Sequence, residues 1–177
     1  MAGLYLAIAD ALSGAECDAA IALADGRLAP APVYGGNGPM VAPLMRDVAS
    51  ALIERGEAGW LFERLDDLFA QGAAAFGLPV GPIAEPVQIL RYDEGGHFQM
   101  WHSDAGGDRV EQRRISMSVE LSALADHEGG ALEVVPELVG RPRELARGGA
   151  HLFPSRALHR VAPVTRGTRW ALVAWTG

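Results

Sequence analysis

Lysine is missing from this 177-residue chain; all 15 of its basic residues are arginine. A buried carboxylate that needs a cation must therefore find an arginine or a protonated histidine. Arginine suits the task, because its planar fork grips a carboxylate through two parallel hydrogen bonds. Positive charge is short altogether, and 22 Asp and Glu bring the net charge to −7. That balance argues against a sequence-independent grip on nucleic acid, which needs basic side chains facing phosphates. Cysteine is scarce too. Cys17 stands alone, which excludes an intrachain disulfide and removes any need for an oxidising compartment. No stretch reaches the ~20 apolar residues that a membrane span requires. Met1 to Ala11 holds no Arg or Lys, so it lacks the charged region of a secretory signal. These absences lead to the expectation of a cytoplasmic protein with no nucleic-acid and no membrane partner.

What is present fits a soluble globular chain: 49% hydrophobic and 21% charged residues, enough for one domain over 1–177 with a single core. Leu4 to Ile8 reads as an edge strand or the start of a helix. Ser13-Gly14-Ala15-Glu16 is a capping-box pattern, so Gly14 to Asp25 reads as a helix stopped by Gly26. Ala29 to Met40, with three prolines and Gly35-Gly36-Asn37-Gly38, has loop chemistry and could form a surface turn or a flap. Met45 to Arg55 is ambiguous. Across Glu57 to Phe76, Leu61, Leu65, Leu68, Phe69, Ala73 and Phe76 recur at helical intervals, with Gly77 as the stop. Glu63, Arg64, Asp66 and Asp67 form its solvated face. Gly72 inside this run weakens it by about 1 kcal/mol relative to alanine.

From Val87 onward the period drops to two. Candidate strands are Val87 to Tyr92, Met100 to Asp104, Arg114 to Ser122, Ala131 to Val135, Ala150 to Phe153, Arg160 to Val164 and Arg169 to Thr176. Gly-rich turns separate most of them. Helices followed by short strands predict an α+β fold with a β-sandwich or jelly-roll core.

Two residues carry the chemistry of Tyr92 to Asp104. His102 and Asp104 stand two apart, so in a strand both project from one face, roughly 6–7 Å apart. His159 offers a third ligand. Two histidines and one carboxylate with open positions make the facial triad of non-haem Fe(II) oxygenases. His97 reads as a surface or supporting residue, His127 as a loop residue and His151 as a sheet residue facing outward. Within Arg114 to Ser122, Ile115, Met117, Val119 and Leu121 share one face. Arg114, Ser116, Ser118, Glu120 and Ser122 share the other, which meets water or lines a cavity. Arg169 begins a strand that is apolar on both faces. A buried arginine needs an anion, which Glu120 or a ligand carboxylate can supply.

The set His102-x-Asp104, His159 and Arg169 resembles the Fe(II)/2-oxoglutarate-dependent dioxygenase superfamily, nearest its prolyl 4-hydroxylase-like branch. Further stretches carry the likeness: Arg91-Tyr92 through Gly96 to Trp101-His102-Ser103-Asp104, Arg113-Arg114-Ile115-Ser116 with Leu121-Ser122, and Glu128-Gly129-Gly130-Ala131-Leu132. Phe153-Pro154-Ser155, Leu158 to Thr165, Gly167-Thr168-Arg169 and Trp175 complete it. The resemblance covers Val87 to Gly177. It implies a double-stranded β-helix, or jelly-roll barrel, over 87–177, with 1–86 as a helical support region packed on one sheet. It implies Fe(II) on His102, Asp104 and His159 as metal ligands and catalytic centre. The co-substrate 2-oxoglutarate would chelate the metal and set its distal carboxylate on Arg169, helped by Tyr92, with O2 as the oxidant and ascorbate as an accessory. The implied reaction hydroxylates an unactivated C–H bond of a prolyl or other amino-acid residue, in a peptide, a protein or a free amino acid, as 2-oxoglutarate becomes succinate. Trp101, Arg109 and Tyr34 to Asn37 are candidates for the substrate rim. Two features depart from the family: Gln99 where an aromatic residue is common, and Glu120 where Tyr or Gln often stands. The alternative is a cupin-like metal-binding barrel, either an oxygenase independent of 2-oxoglutarate or a non-catalytic binding module.

Overall fold

A computed structural model describes residues 3–35, 37–106 and 112–177. Helix α1 (Gly14–Ala22) starts where the capping box predicts. The Ser13 hydroxyl accepts from the Glu16 N–H at 3.1 Å, and the Glu16 carboxylate accepts from the Ser13 N–H at 2.7 Å. The helix stops short of Asp25; the chain continues in turns to Arg27. Helix α2 (Gly59–Phe76) ends at Gly77, whose φ of 66° is the left-handed conformation that closes a helix. Gly72 has a packing reason. A Cβ there would lie 2.8 Å from Leu152 Cδ2 and 3.7 Å from Ile115 Cδ1, so its absence lets α2 lie close on the sheet.

The region expected to be helical support also carries strands: β1 (Leu6–Ile8), β2 (Ala29–Pro30), β3 (Val33–Gly35), β4 (Gly38–Met40) and β5 (Ala49–Ile53). The stretch 29–40 is thus not plain loop. Pro30 is tolerated because β2 lies at a sheet edge, and β3 and β4 form a hairpin. The ambiguous segment around Met45 to Arg55 supplies β5, an inner strand.

The second half contributes β6 (Val87–Tyr92), β7 (Phe98–His102), β8 (Ile115–Glu120), β9 (His127–Gly129), β10 (Leu132–Val134), β11 (Ala150–Pro154), β12 (His159–Val161), β13 (Val164–Gly167) and β14 (Arg169–Thr176). The strand expected over Met100 to Asp104 sits two residues earlier, leaving Asp104 past its end. The strand expected over Arg160 to Val164 is broken in two, because Pro163 brings no N–H to a ladder. His127–Gly129, expected as turn, pairs with β13.

Seven strands form one sheet in the order β1-β11-β8-β14-β6-β5-β2, and three more form β10-β12-β7. On the outer face of the large sheet, Ile115, Met117, Val119 and Leu121 bury against Leu61, Phe62, Leu65 and Phe69 of α2. On the inner face, Leu90, Tyr92 and Ala171 pack with Val134 and Val161 of the small sheet. Among the described residues no strand of one sheet pairs with a strand of the other, so they form two layers and not the closed barrel expected. The site lies between them.

Candidate active site

Strands β7 and β12 are antiparallel neighbours, with His102 and His159 as direct register partners. That pairing brings together two imidazoles far apart in the chain, with ring centroids 4.2 Å apart. Each Nδ1 contacts the carbonyl two residues earlier: His102 with Met100 O at 2.8 Å, His159 with Ala157 O at 3.0 Å. A carbonyl only accepts, so each Nδ1 carries the hydrogen and each Nε2 lone pair is left for the site. Asp104 joins them from beyond β7. Its N–H and that of Ala105 both donate to Ser155 O, at 2.9 and 3.1 Å, which fixes this bend. The Asp104 carboxylate stands 3.3 Å from His159 Nε2 and 3.9 Å from His102 Nε2. All three ligand atoms lie within 4.8 Å of one another. Ser116 Oγ and Trp175 Nε1 donate to Asp104 Oδ2 at 2.7 and 2.8 Å.

Burial drives the His102 pKa down to about 4, reinforced by the charge of His159. It is therefore neutral near pH 7, the form that binds metal. Burial also acts against the charge on His159, but the adjacent Asp104 carboxylate outweighs it and raises the pKa. Burial favours protonated Asp104, yet the charge and hydrogen bond of His159, with His102 and Trp175, hold it far below the usual carboxylate range. One carboxylate and two imidazoles with free Nε2 lone pairs suit a divalent cation.

A second cluster surrounds Arg169, which is 2% exposed. Its Nε and Nη2 donate to the two Glu120 oxygens at 3.0 and 2.7 Å. Of the two anions considered for Arg169, this structure shows Glu120. Gly130 makes the approach possible: its φ is +73°, and a Cβ there would lie 2.9 Å from Arg169 Cδ. The Tyr92 ring centroid is 5.2 Å from the guanidinium carbon. Burial works against the Glu120 charge, but Arg169 and His151 override it and hold the pKa at about 2.

His151 does not face outward as expected. It is 1% exposed, with Nε2 3.3 Å from Glu120 Oε1 and Nδ1 2.7 Å from the Tyr5 hydroxyl. Alternation explains it: Ala150 and Leu152 join the helix-side core, so His151 turns to the inner side. His97 is likewise buried, its Nδ1 accepting from Gln99 N at 3.2 Å; its backbone bridge to Asp47 holds it off the surface. Arg114 leaves the polar face of β8 and donates outward to Pro79 O.

Of the residues expected to border the substrate, Tyr34 is 75% exposed, and Arg160 lies over the Trp101 ring at 4.5 Å. Arg109 and Gly36 fall outside the described residues. Sequence reasoning missed Arg46. It is buried over the Phe98 ring at 4.9 Å, and Phe98 in turn stacks on His102 at 3.7 Å. Its Nη1 and Nη2 reach Pro32 O and Gln88 Oε1, while Nε has no partner among the described residues. Ser116 and Trp175 were also missed as holders of Asp104, although their places on the inward faces of two buried strands pointed to it.

The model of the 2OG-Fe(II) oxygenase superfamily matches residues 87–177, and this chain belongs to that superfamily. The family works with Fe(II), 2-oxoglutarate and O2. The chain is 37% identical over 91 residues to a PKHD-type hydroxylase of Idiomarina loihiensis, covering 50% of this chain and 40% of that protein. It spans under half the length of such curated relatives. Among solved structures, it resembles a Pseudomonas putida prolyl-4-hydroxylase with a TM-score of 0.76 at 21% identity, covering 98% of this chain and 91% of that one. It also resembles a Trichoplax adhaerens prolyl hydroxylase in complex with a hypoxia inducible factor peptide fragment. There the TM-score is 0.73 at 19% identity, covering 98% and 83% of the two chains. No described helix is long and apolar enough to cross a membrane.

Proposed function

We propose that this chain hydroxylates an unactivated C–H bond of a prolyl or other amino-acid residue, with 2-oxoglutarate converted to succinate. The observation that carries this reading is the convergence of His102, Asp104 and His159 within 4.8 Å, inside the segment that matches the superfamily. These three hold Fe(II), and Arg169, with Tyr92 beside it, takes the distal carboxylate of 2-oxoglutarate. The two facing sheets serve as the halves of a double-stranded β-helix over 87–177, braced by 1–86 as part of one domain. When bound, the metal and its co-substrate supply the oxidising power for the hydroxylation.

The protein's own work is positioning. Met100 O and Ala157 O fix the two imidazole tautomers, and Ser116 and Trp175 fix the Asp104 carboxylate. The apolar walls Phe98 and Phe153 against the two histidines keep water from their flanks. The hairpin around Tyr34 and the Trp101–Arg160 stack border the opening. A peptide is the favoured substrate class, since one similar structure holds a peptide fragment. The cytoplasm is the proposed place of action.

The test is succinate release by the purified chain with Fe(II), ascorbate and 2-oxoglutarate, followed by a mass-spectrometric search for the gain of one oxygen atom across proline-containing peptides and free amino acids. Succinate release and an oxygenated product are expected. Iron binding without any succinate would overturn the reading and return the chain to a cupin-like metal-binding barrel.

A further inference from the structure

Arg169 meets Glu120 through both Nε and Nη2, so the edge that would receive a co-substrate carboxylate is taken. Two carboxylates on one buried guanidinium leave an uncompensated negative charge shut away from water, which a folded protein strongly resists. Glu120 must be given another partner before Arg169 can change its own. The groups around it are few. Arg169 faces it from β14, His151 from β11, Tyr5 from the chain entering β1 and Tyr92 from β6. His127, Arg143 and Glu144 line the ≈ 50 Å³ cavity that also borders Glu120, His151 and Arg169. His151 is the one already in reach, with Nε2 3.3 Å from Glu120 Oε1.

We infer that Tyr5, His151 and Glu120 belong to the co-substrate site, and that the distal carboxylate of 2-oxoglutarate takes its place on Arg169 with uptake of one proton by His151, which then pairs with Glu120. This rests on the reading of Arg169 as the co-substrate anchor. The charge balance is simple. At rest, Arg169 and ionised Glu120 cancel. With co-substrate present, Arg169 and protonated His151 cancel Glu120 and the incoming carboxylate. The proton comes from solvent, and no covalent bond other than N–H is made. The hydrogen-bond chain suits this exchange. An ionised carboxylate only accepts, so His151 Nε2 donates to Glu120 and the Tyr5 hydroxyl donates to Nδ1 at 2.7 Å. A proton arriving at Nδ1 needs only that the Tyr5 hydroxyl turn from donor to acceptor. The cavity beside the pair leaves Glu120 room to swing from Arg169 toward His151.

The experiment is a calorimetric titration of 2-oxoglutarate into the Mn(II)-loaded protein, in two buffers of different ionisation enthalpy at the same neutral pH, which counts protons directly. The wild type is expected to take up close to one proton. Glu120→Gln is expected to take up almost none and to bind about tenfold more tightly, since no anion competes for Arg169. His151→Gln, which keeps the Glu120–Arg169 pair and so its fold, is expected to bind at least about tenfold more weakly at pH 8. Wild-type binding without proton uptake would overturn the inference, as when Arg143 takes over Glu120; so would an unchanged count in Glu120→Gln or unchanged affinity in His151→Gln. The double variant Glu120→Gln with Arg169→Gln leaves no charge unpaired and separates the two claims. If it binds as the wild type does, Arg169 is not the anchor; if it loses binding, the anchor stands whatever the proton count.

Discussion

Asp104 and Glu120 are two carboxylates set against the same inner face of β8, the first half-buried and the second buried, yet they live in opposite surroundings. Asp104 leans on Ser116 of that strand and is met by two imidazoles, a hydroxyl and an indole N–H. Glu120 projects from the strand itself and is met by a guanidinium on both oxygens. Both stay ionised, but for different reasons. Glu120 has a partner that is charged at every accessible pH. Asp104 has partners whose charge depends on protons and whose lone pairs can turn to a metal instead. The lesson is that burial alone does not make a carboxylate a ligand. What matters is whether a permanent cation already claims it.

The largest effect should come from removing the open carboxylate. Asp104→Ala is expected to lose metal affinity by at least about 100-fold, read as iron content after dialysis at limiting Fe(II). Normal iron content in that variant would break the comparison at once. The next effect concerns the closed one. Arg169→Ala leaves Glu120 buried without its permanent cation, with His151 Nε2 at 3.3 Å as its remaining partner, and should cost about 3–5 kcal/mol in denaturant unfolding. The double change Glu120→Leu with Arg169→Met strands no charge and should cost much less than that single change. Equal losses in the two proteins would mean that the pair is not what the fold depends on here.

Acid should sharpen the contrast further. The Glu120 pKa is depressed from 4.5 to about 2 in the folded chain. Its contribution is therefore fully present above pH 4.5 and lost as pH falls through about 2. That is ~3 kcal/mol at most, by the size of the shift. A pH series of unfolding midpoints on wild type and Glu120→Gln should separate between those limits, with the flatter curve belonging to the variant. Parallel curves would take Glu120 out of the acid response.

Much of this contrast was legible in the residues, and the illegible part has a physical cause. His102 and Asp104, two apart, marked one end of the candidate site, although Asp104 reaches it from past the end of β7, and a strand apolar on both faces marked Arg169 as buried. The capping box at Ser13 and the helical spacing of Leu61 to Phe76 placed both helices. The inward turn of His151 was hidden because its neighbours Ala150 and Leu152 fix the strand's facing only once α2 is packed on the sheet. Arg46 was hidden for a like reason. It precedes β5 in a stretch with no clear period, and the bridge between Asp47 and His97 sets it beside Phe98. Strands β2, β3 and β4 were obscured by proline and glycine, which read as loop although an edge strand and a hairpin tolerate both.

The smallest change tests whether the two ends are separate. Ser116 Oγ donates to Asp104 Oδ2 at 2.7 Å and lies 2.9 Å from Ser155 Oγ, so Ser116→Ala removes one hydrogen bond to the open carboxylate and leaves Trp175 holding the same oxygen. A lost hydrogen bond of this kind costs about 1 kcal/mol of stability, and a supporting contact to a metal ligand is worth about tenfold in metal affinity. Ser122, just past the other end of the strand, accepts from Trp170 N at 2.6 Å and makes no hydrogen bond to Asp104. Ser122→Ala should show a similar loss in stability with metal affinity unchanged. The pair of variants therefore asks one question by competition titration with a fluorescent chelator: does metal affinity follow Asp104's own donors, or the general soundness of β8? If both serines weaken the metal equally, the strand acts as one unit, and the division between an open and a closed carboxylate fails.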